Sequence, residues 1–399
     1  MDTPKSKAVS RRAVVAAMAG VALGPHRASR KDRIRIGVIG CGQRGSWIAS
    51  LFAQHGGYEV YAVADYFKEA ADRCGDALGV DAKRRFHGLN GYLKLMDAGI
   101  AAVALETPPY CFPDHAAAAV HAGLHVYMAK PVAVDVPGCL RIRAAAAEAS
   151  AKGRVFLVDY QMPTDPGNIR VVEQIHKGAI GKVIALQSYY LAGGWPDPPR
   201  NRTIEDRLQH LIWVNDVALG GGHHVNACIH AIDAALWAAG SVPVAAVGAS
   251  RIGRADPHGD SHDLFSLTYE FADGLILNHR AKHLNDAYPS GDFCGCWIHG
   301  QSGCGWISYA AKAQMVNASD AFSVDVADLY AAGARRNIAA FHEAITKGDC
   351  SNPTVRHAVE SALTTIMGRE AARRRRRITM EALMKENQRI AADLRGLEP

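Results

Sequence analysis

The stretch RIRIGVIGCGQRG, residues 33–45, decides the fold of the first half of this chain. Arg33 to Ile39 is short and rich in β-branched residues, which predicts a strand. Gly40, Cys41, Gly42, Gln43, Arg44 and Gly45 then spell G-x-G-x-x-G, and an apolar helical run from Trp47 to Phe52 follows. A lone G-x-G-x-x-G is weak evidence. Here it lies between a strand and a helix, and a second strand-like run, Glu59 to Asp65, ends in an acid 20 residues after Gly45. That is the context a dinucleotide-binding fingerprint demands. Gly40 allows the tight turn, Gly42 lets a pyrophosphate approach the backbone, and Gly45 lets helix and strand pack closely. The helix amino end then faces the phosphates. Asp65 accepts from the adenosine ribose hydroxyls in this reading and repels a 2′-phosphate, so NAD is favoured over NADP.

Outward from the fingerprint, Ala101 to Glu106 and His125 to Met128 are further short apolar runs with a helical Pro113–Ala122 between them. Strands alternating with helices predict a parallel, doubly wound α/β sheet. From Asp159 the strands lengthen. Ile184–Leu191 reads as a strand with Gln187, Tyr189 and Leu191 on one side and Tyr190 on the other. Ala272-Asp273-Gly274 reads as a hairpin turn joining Ser266–Phe271 to Leu275–Arg280. Ile338, Phe341 and Ile345 form a helical stripe ended by Gly348, and another helix is expected from about Thr354 to Arg374. The expected organisation is a leader over 1–30, a Rossmann domain over 31–155, and an α+β domain over 156–399.

The formal net charge of +6 is unevenly placed. Residues 1–30 and the run Arg373–Arg377 are strongly basic, so the body is mildly acidic and no nucleic-acid partner is expected. The arginine run is expected at a helix carboxyl end, where cations suit the dipole. Ser10-Arg11-Arg12 precedes the apolar run Ala13–Leu23, which is too short to span a bilayer. A basic start, paired arginines and a short apolar run predict a twin-arginine export signal. A periplasmic or extracellular location follows, with the export machinery as a partner. The nine cysteines are odd in number and scattered, which predicts structural thiols, not a disulfide framework.

Further motifs resemble the Gfo/Idh/MocA oxidoreductase family over residues 31 to about 385. Thr107-Pro108 with His115 matches its second element. HVYMAKPVAVDVPG (125–138), with Lys130-Pro131, matches the third, and GGGHHVNACIHAIDAALW (220–237) the fourth. The resemblance implies a Rossmann domain followed by an α+β domain with a large open, mainly antiparallel sheet. It implies NAD chemistry on a sugar, cyclitol or glycoside hydroxyl, and a dimer or tetramer. Two positions depart from the pattern: Ala129 stands where an acid usually precedes the lysine, and Asn226 stands where a catalytic acid is expected.

Hydride transfer from an alcohol needs a base for the hydroxyl proton and a donor for the developing alkoxide. The resemblance implies that His230 takes the proton while Lys130 holds the oxygen and Asn226 orients ring or substrate. Asn226 and His230 are four apart, so on one helix they share a face. His230 is expected to be the weaker base without an acid at 226, and the Lys130 pKa is expected to fall without one at 129. Gln161 is expected at nicotinamide or substrate. Tyr189, Trp195, Arg200 and Arg202 are expected at the substrate. No metal is expected: His223, His224, His230 and Asp233 lack ligand spacing, and Cys294, Cys296, His299 and Cys304 read as strand and turn. Two other readings remain open: an NAD-dependent glycosidase working through transient C3 oxidation and elimination, and a non-catalytic carbohydrate binder that holds NAD tightly.

Overall fold

The computed structural model describes residues 33–200, 203–286 and 292–398. Among these, six parallel strands form the first sheet: β1 (Ile34–Ile39), β2 (Tyr58–Asp65), β3 (Arg85–His87), β4 (Ala102–Leu105), β5 (His125–Ala129) and β6 (Phe156–Asp159). Their order is β3-β2-β1-β4-β5-β6. Strands β4, β5 and β6 are buried throughout, as a parallel sheet covered on both faces requires. The order reverses between β1 and β4. In such sheets ligands bind beyond the strand carboxyl ends at that switch point.

The second sheet is open and larger. Its strands are β7 (Val183–Ala192), β8 (Ala245–Arg251), β9 (Leu264–Glu270), β10 (Ile276–His283), β11 (Cys294–Gly300), β12 (Gly303–Ser308), β13 (Lys312–Asn317), β14 (Ala321–Asp325) and β15 (Ile378–Thr379). They run β14-β13-β12-β11-β7-β10-β9-β8-β15, antiparallel except for β7 against β10. The Ala272–Gly274 turn joins β9 to β10 as expected, with Ile276 opposite Glu270. One face of this sheet packs on helices Pro166–His176 and Ile229–Ala239.

Two late helices bind the halves together. Leu329–Lys347 returns to the first sheet, where Ala334, Ile338 and Phe341 pack with Phe52, Tyr58 and Tyr127. Gly348 ends it in the left-handed region, as expected. Pro353–Arg374 is buried around most of its circumference, packed on helix Val136–Ala151 and β8, and carries Ser361, Thr364, Thr365 and Arg369 into the interior with its apolar residues. Its arginine-rich end is tied to acids as well as placed at the dipole: Arg374 pairs with Glu370 and Glu386, and Arg377 with Glu270. All nine cysteines are free thiols, as expected. The twin-arginine segment lies outside the described residues, and no helix among those described is long and apolar enough to cross a membrane.

Candidate active site at the ends of the parallel strands

Strand β1 delivers the fingerprint. Gly40 has φ of +94°, and a Cβ there would meet the Glu106 backbone at 2.7 Å, so only glycine fits. A Cβ at Gly45 would meet the Gly40 carbonyl oxygen at 1.7 Å, which is the close helix–strand packing the motif requires. A Cβ at Gly42 would meet nothing within 4 Å. Helix Gln43–His55 also starts there without a side-chain cap, so its first N–H groups face open space. That cradle fits a dinucleotide pyrophosphate. Asp65 ends β2 beside it: Oδ2 accepts from Cys41 N at 2.6 Å and Oδ1 from Phe67 N at 2.9 Å. The carboxylate is thereby fixed at the turn, where the ribose hydroxyls of NAD belong. The NAD over NADP ratio of kcat/KM is expected to be about 100-fold or more, since juxtaposed like charges cost several kcal/mol. Asp65→Ser should narrow it at least tenfold. Equal use of both cofactors by the unaltered protein would contradict this placement.

Three other strand ends carry charge into the same place. Glu106 follows β4, Lys130 follows β5, and Asp159 ends β6. Arg44 reaches across from the fingerprint helix. Its Nε lies 3.1 Å from Glu106 Oε2, it pairs closely with Asp159, and its Nη1 donates to Tyr330 at 2.9 Å. Both acid side chains are 0% exposed. Asn337 Nδ2 donates to the other Asp159 oxygen at 2.6 Å. Burial pushes Glu106 up to about 7 despite its cation, and the two carboxylates push Arg44 well above its ordinary value even against the cost of burial.

Lys130 sits half-buried at this crossing. Its Nζ donates to the Asn226 main-chain oxygen at 2.7 Å. Burial lowers its pKa to about 7 and Arg44 adds to that, against the pull of Asp159, Cys294 and Glu106. Desolvation is the main cause of that fall, and position 129 is not among its causes. His230 is partly open to the same cleft, between the rings of Tyr160 at 6.3 Å and Tyr309 at 5.3 Å. Burial and the charges of Lys130 and Arg44 drive its pKa well below the ordinary imidazole value.

A sequence model of the oxidoreductase family Gfo/Idh/MocA, NAD-binding Rossmann fold, matches residues 34–159, and a model of the Gfo/Idh/MocA C-terminal domain matches 169–304. The chain belongs to the Gfo/Idh/MocA oxidoreductase family. Among curated relatives, inositol 2-dehydrogenase 2 of Saccharopolyspora erythraea is 29% identical over 61% of this chain and 65% of its own. Inositol 2-dehydrogenase of Ralstonia nicotianae is 28% identical over 53% and 56%. The chain thus spans between half and two thirds of the curated relatives it matches. The fold is also that of levoglucosan dehydrogenase solved with NADH and levoglucosan, at TM-score 0.72 and 20% identity over 87% of this chain and 99% of that one. Aldose-aldose oxidoreductase from Caulobacter crescentus matches at TM-score 0.70 and 19% identity over the same shares.

Within this Gfo/Idh/MocA member the expected residues fall into groups. Lys130, joined to Pro131 by a cis bond, meets Asn226 and His230. Gln161 is buried beside them and accepts from Tyr309 at 3.2 Å. Thr107 and Pro108 follow β4, and Thr107 Oγ1 lies 3.3 Å from His115 Nδ1, with Tyr92 over the imidazole at 4.2 Å. Cys41 and Gln43 line the turn. Arg44 turns to two carboxylates, so it organises the strand ends.

Four expectations need correction. Asn226 and His230 do not share one uninterrupted helix: Gly222–Asn226 ends before Ile229–Ala239 begins, and Cys228 N donates to His223 O, an i to i−5 bond. Such a π-type bulge rotates the faces, so it is the Asn226 backbone that meets Lys130. Tyr189 is on the outer face of β7, bonded to Asp292 and receiving Trp306 Nε1 at 2.9 Å, whereas Tyr190 faces inward beside His223. Arg200 is 67% exposed and paired with Asp256, away from the cleft. Trp195 lies against His283 at 5.3 Å and does not join the Lys130 group. Arg202 lies outside the described residues. Glu106, Asp159, Asn337 and Tyr309 went unnoticed in the sequence. For the two acids the available signal was their place at the carboxyl ends of parallel strands.

Proposed function

We propose that this chain is an NAD-dependent oxidoreductase that moves hydride between nicotinamide and a CH–OH carbon of a sugar, cyclitol or glycoside. The observation that carries the reading is Lys130, held near neutral pKa between the fingerprint and His230. Bound NAD would supply the carbon that accepts the hydride. Lys130 as a neutral amine takes the hydroxyl proton, because a base poised near 7 suits that step. His230, kept neutral, orients the hydroxyl and does not serve as the main base. Tyr309 and Gln161 fix the wall behind it. The inositol and sugar dehydrogenases among the relatives support a polyol substrate.

The test is a pH profile of kcat/KM for polyol oxidation by the NAD-loaded protein. It should rise through an inflection near pH 7, since protonation of Lys130 removes the base. Ala129→Glu should move that inflection upward, because an added carboxylate favours the ammonium form. A flat profile from pH 5 to 9 would contradict the assignment. Release of an aglycone from a glycoside, with no net change in reduced nicotinamide, would favour the hydrolytic reading instead.

The proposal includes export by the twin-arginine route with NAD already held, and assembly as a dimer or tetramer. Ser10-Arg11-Arg12 and the run Ala13–Leu23 support the first. Trp297 and Trp306, stacked at 4.6 Å on the uncovered face of the large sheet, support the second.

A further inference from the structure

Behind the π-type bulge lies a cluster that the cleft does not use. We infer that His224, Cys228 and His279 form a metal site for a zinc-like, thiolate-preferring divalent cation. One ligand atom from each lies within 4.8 Å of those of the other two, and all three residues are buried. Each histidine has one ring nitrogen tied to a hydroxyl. His224 Nε2 lies 2.8 Å from Tyr269 OH, and His279 Nδ1 lies 2.8 Å from Ser188 Oγ. The opposite nitrogens, His224 Nδ1 and His279 Nε2, are buried without a hydrogen-bond partner.

Metal-bound histidines show this pattern, because a partner on one nitrogen fixes the ring and frees the other for the metal. Burying two unpartnered imidazole nitrogens otherwise costs free energy with no return. Zinc bonds of about 2.0–2.3 Å bring ligand atoms to roughly 3.5 Å apart, so closure needs only small side-chain rotations. On binding, the Cys228 thiol releases its proton and Sγ forms the metal–sulfur bond. His223 Nε2, 3.5 Å from Sγ, supplies an N–H to the thiolate. One thiolate and two imidazoles, with no carboxylate among them, select a borderline-soft cation over magnesium or calcium.

The set differs from His223, His224, His230 and Asp233, the neighbours in sequence that lack ligand spacing. His230 opens to the cleft, and Asp233 is engaged by His357 at 2.8 Å and Ser361 at 2.8 Å. The missing ligand, His279, comes from β10, 49 residues after His230. Cys228 lies midway between Asn226 and His230. A metal there pins the bulge that presents both to Lys130, which makes the trio a positioning site and not a catalytic one.

The test is elemental analysis of the full chain after incubation with zinc and desalting, together with absorption spectra of the cobalt-loaded protein. About one zinc per chain and a thiolate-to-cobalt charge-transfer band are expected. Both should be lost in Cys228→Ser and in His279→Gln and kept in Cys304→Ser. Fewer than about 0.1 zinc per chain would overturn the site, as would full zinc occupancy in both ligand variants. The cobalt spectrum of the unaltered protein decides the matter even where a variant does not fold: absence of the thiolate band overturns the proposal.

Discussion

Lys130→Ala is expected to lower kcat/KM for polyol oxidation by about 1000-fold, within the range set by loss of a positioned acid–base group. Two features make the effect large. The amine has a pKa of about 7, near the working pH, and unlike Glu106, which is engaged by Arg44, its nitrogen reaches the Asn226 and His230 side of the cleft. His230 does not take over, since burial, the main cause of its lowered pKa, and the charge of Arg44 both remain in the variant. The loss should appear in kcat, because the proton moves in the reacting complex, whereas NAD affinity should change less than tenfold. The fingerprint turn and Asp65, where the pyrophosphate and ribose are expected, lie on other elements and keep their geometry in the variant. Added methylamine should restore part of the rate by supplying the missing nitrogen. Stopped-flow measurement of the reduced-nicotinamide signal, beside an NAD titration, checks all three points. Residual activity within tenfold of the unaltered protein would move the base elsewhere.

The parts of this molecule that were legible in its sequence are those where local chemistry dictates geometry. Only glycine tolerates the Gly40 turn or the contact at Gly45, so the fingerprint is readable residue by residue. The Asp273-Gly274 turn and the Gly348 helix end are legible for the same kind of reason. Lys130, Asn226 and His230 came from motif order, and the structure brings all three together. What was hidden depends on register or on distant pairing. Alternation placed Tyr189 and Tyr190 on opposite faces of β7, yet nothing local said which face was inside. The break between Asn226 and Ile229 is invisible because Ala227 and Cys228 are compatible with an unbroken helix. His279 joins His224 only after β10 has paired with β7 in parallel, a connection no local pattern records. Asp159 is an ordinary acid until Arg44, 115 residues earlier in the chain, crosses to it.

That crossing sets the second large expected effect, on stability. Arg44→Met should destabilise the first domain by about 3–5 kcal/mol, because removing one partner leaves buried charge uncompensated. For a domain of this size a loss of that order is a fall of roughly 10 °C in melting temperature. The pH dependence identifies the cause. Glu106 has a folded pKa raised above its unfolded value, to about 7 with Arg44 in place. Its contribution to stability is therefore present at low pH and is lost as pH rises through the folded pKa. Without the guanidinium that pKa rises further, and ionising Glu106 becomes more costly. The deficit of Arg44→Met should thus be smaller at pH 5, where Glu106 is mostly protonated in the folded state of both proteins, than at pH 8. The double variant Arg44→Met with Glu106→Gln should recover part of the loss at pH 8 by removing one stranded charge. Its recovery cannot be complete, since Asp159 keeps Asn337 but still lacks its cation. Melting curves of the unaltered protein and the two variants at both pH values give the comparison. A deficit that does not change with pH would locate the role of Arg44 in its packing against the stacked rings of Trp47 and Tyr330, not in the ion pairs.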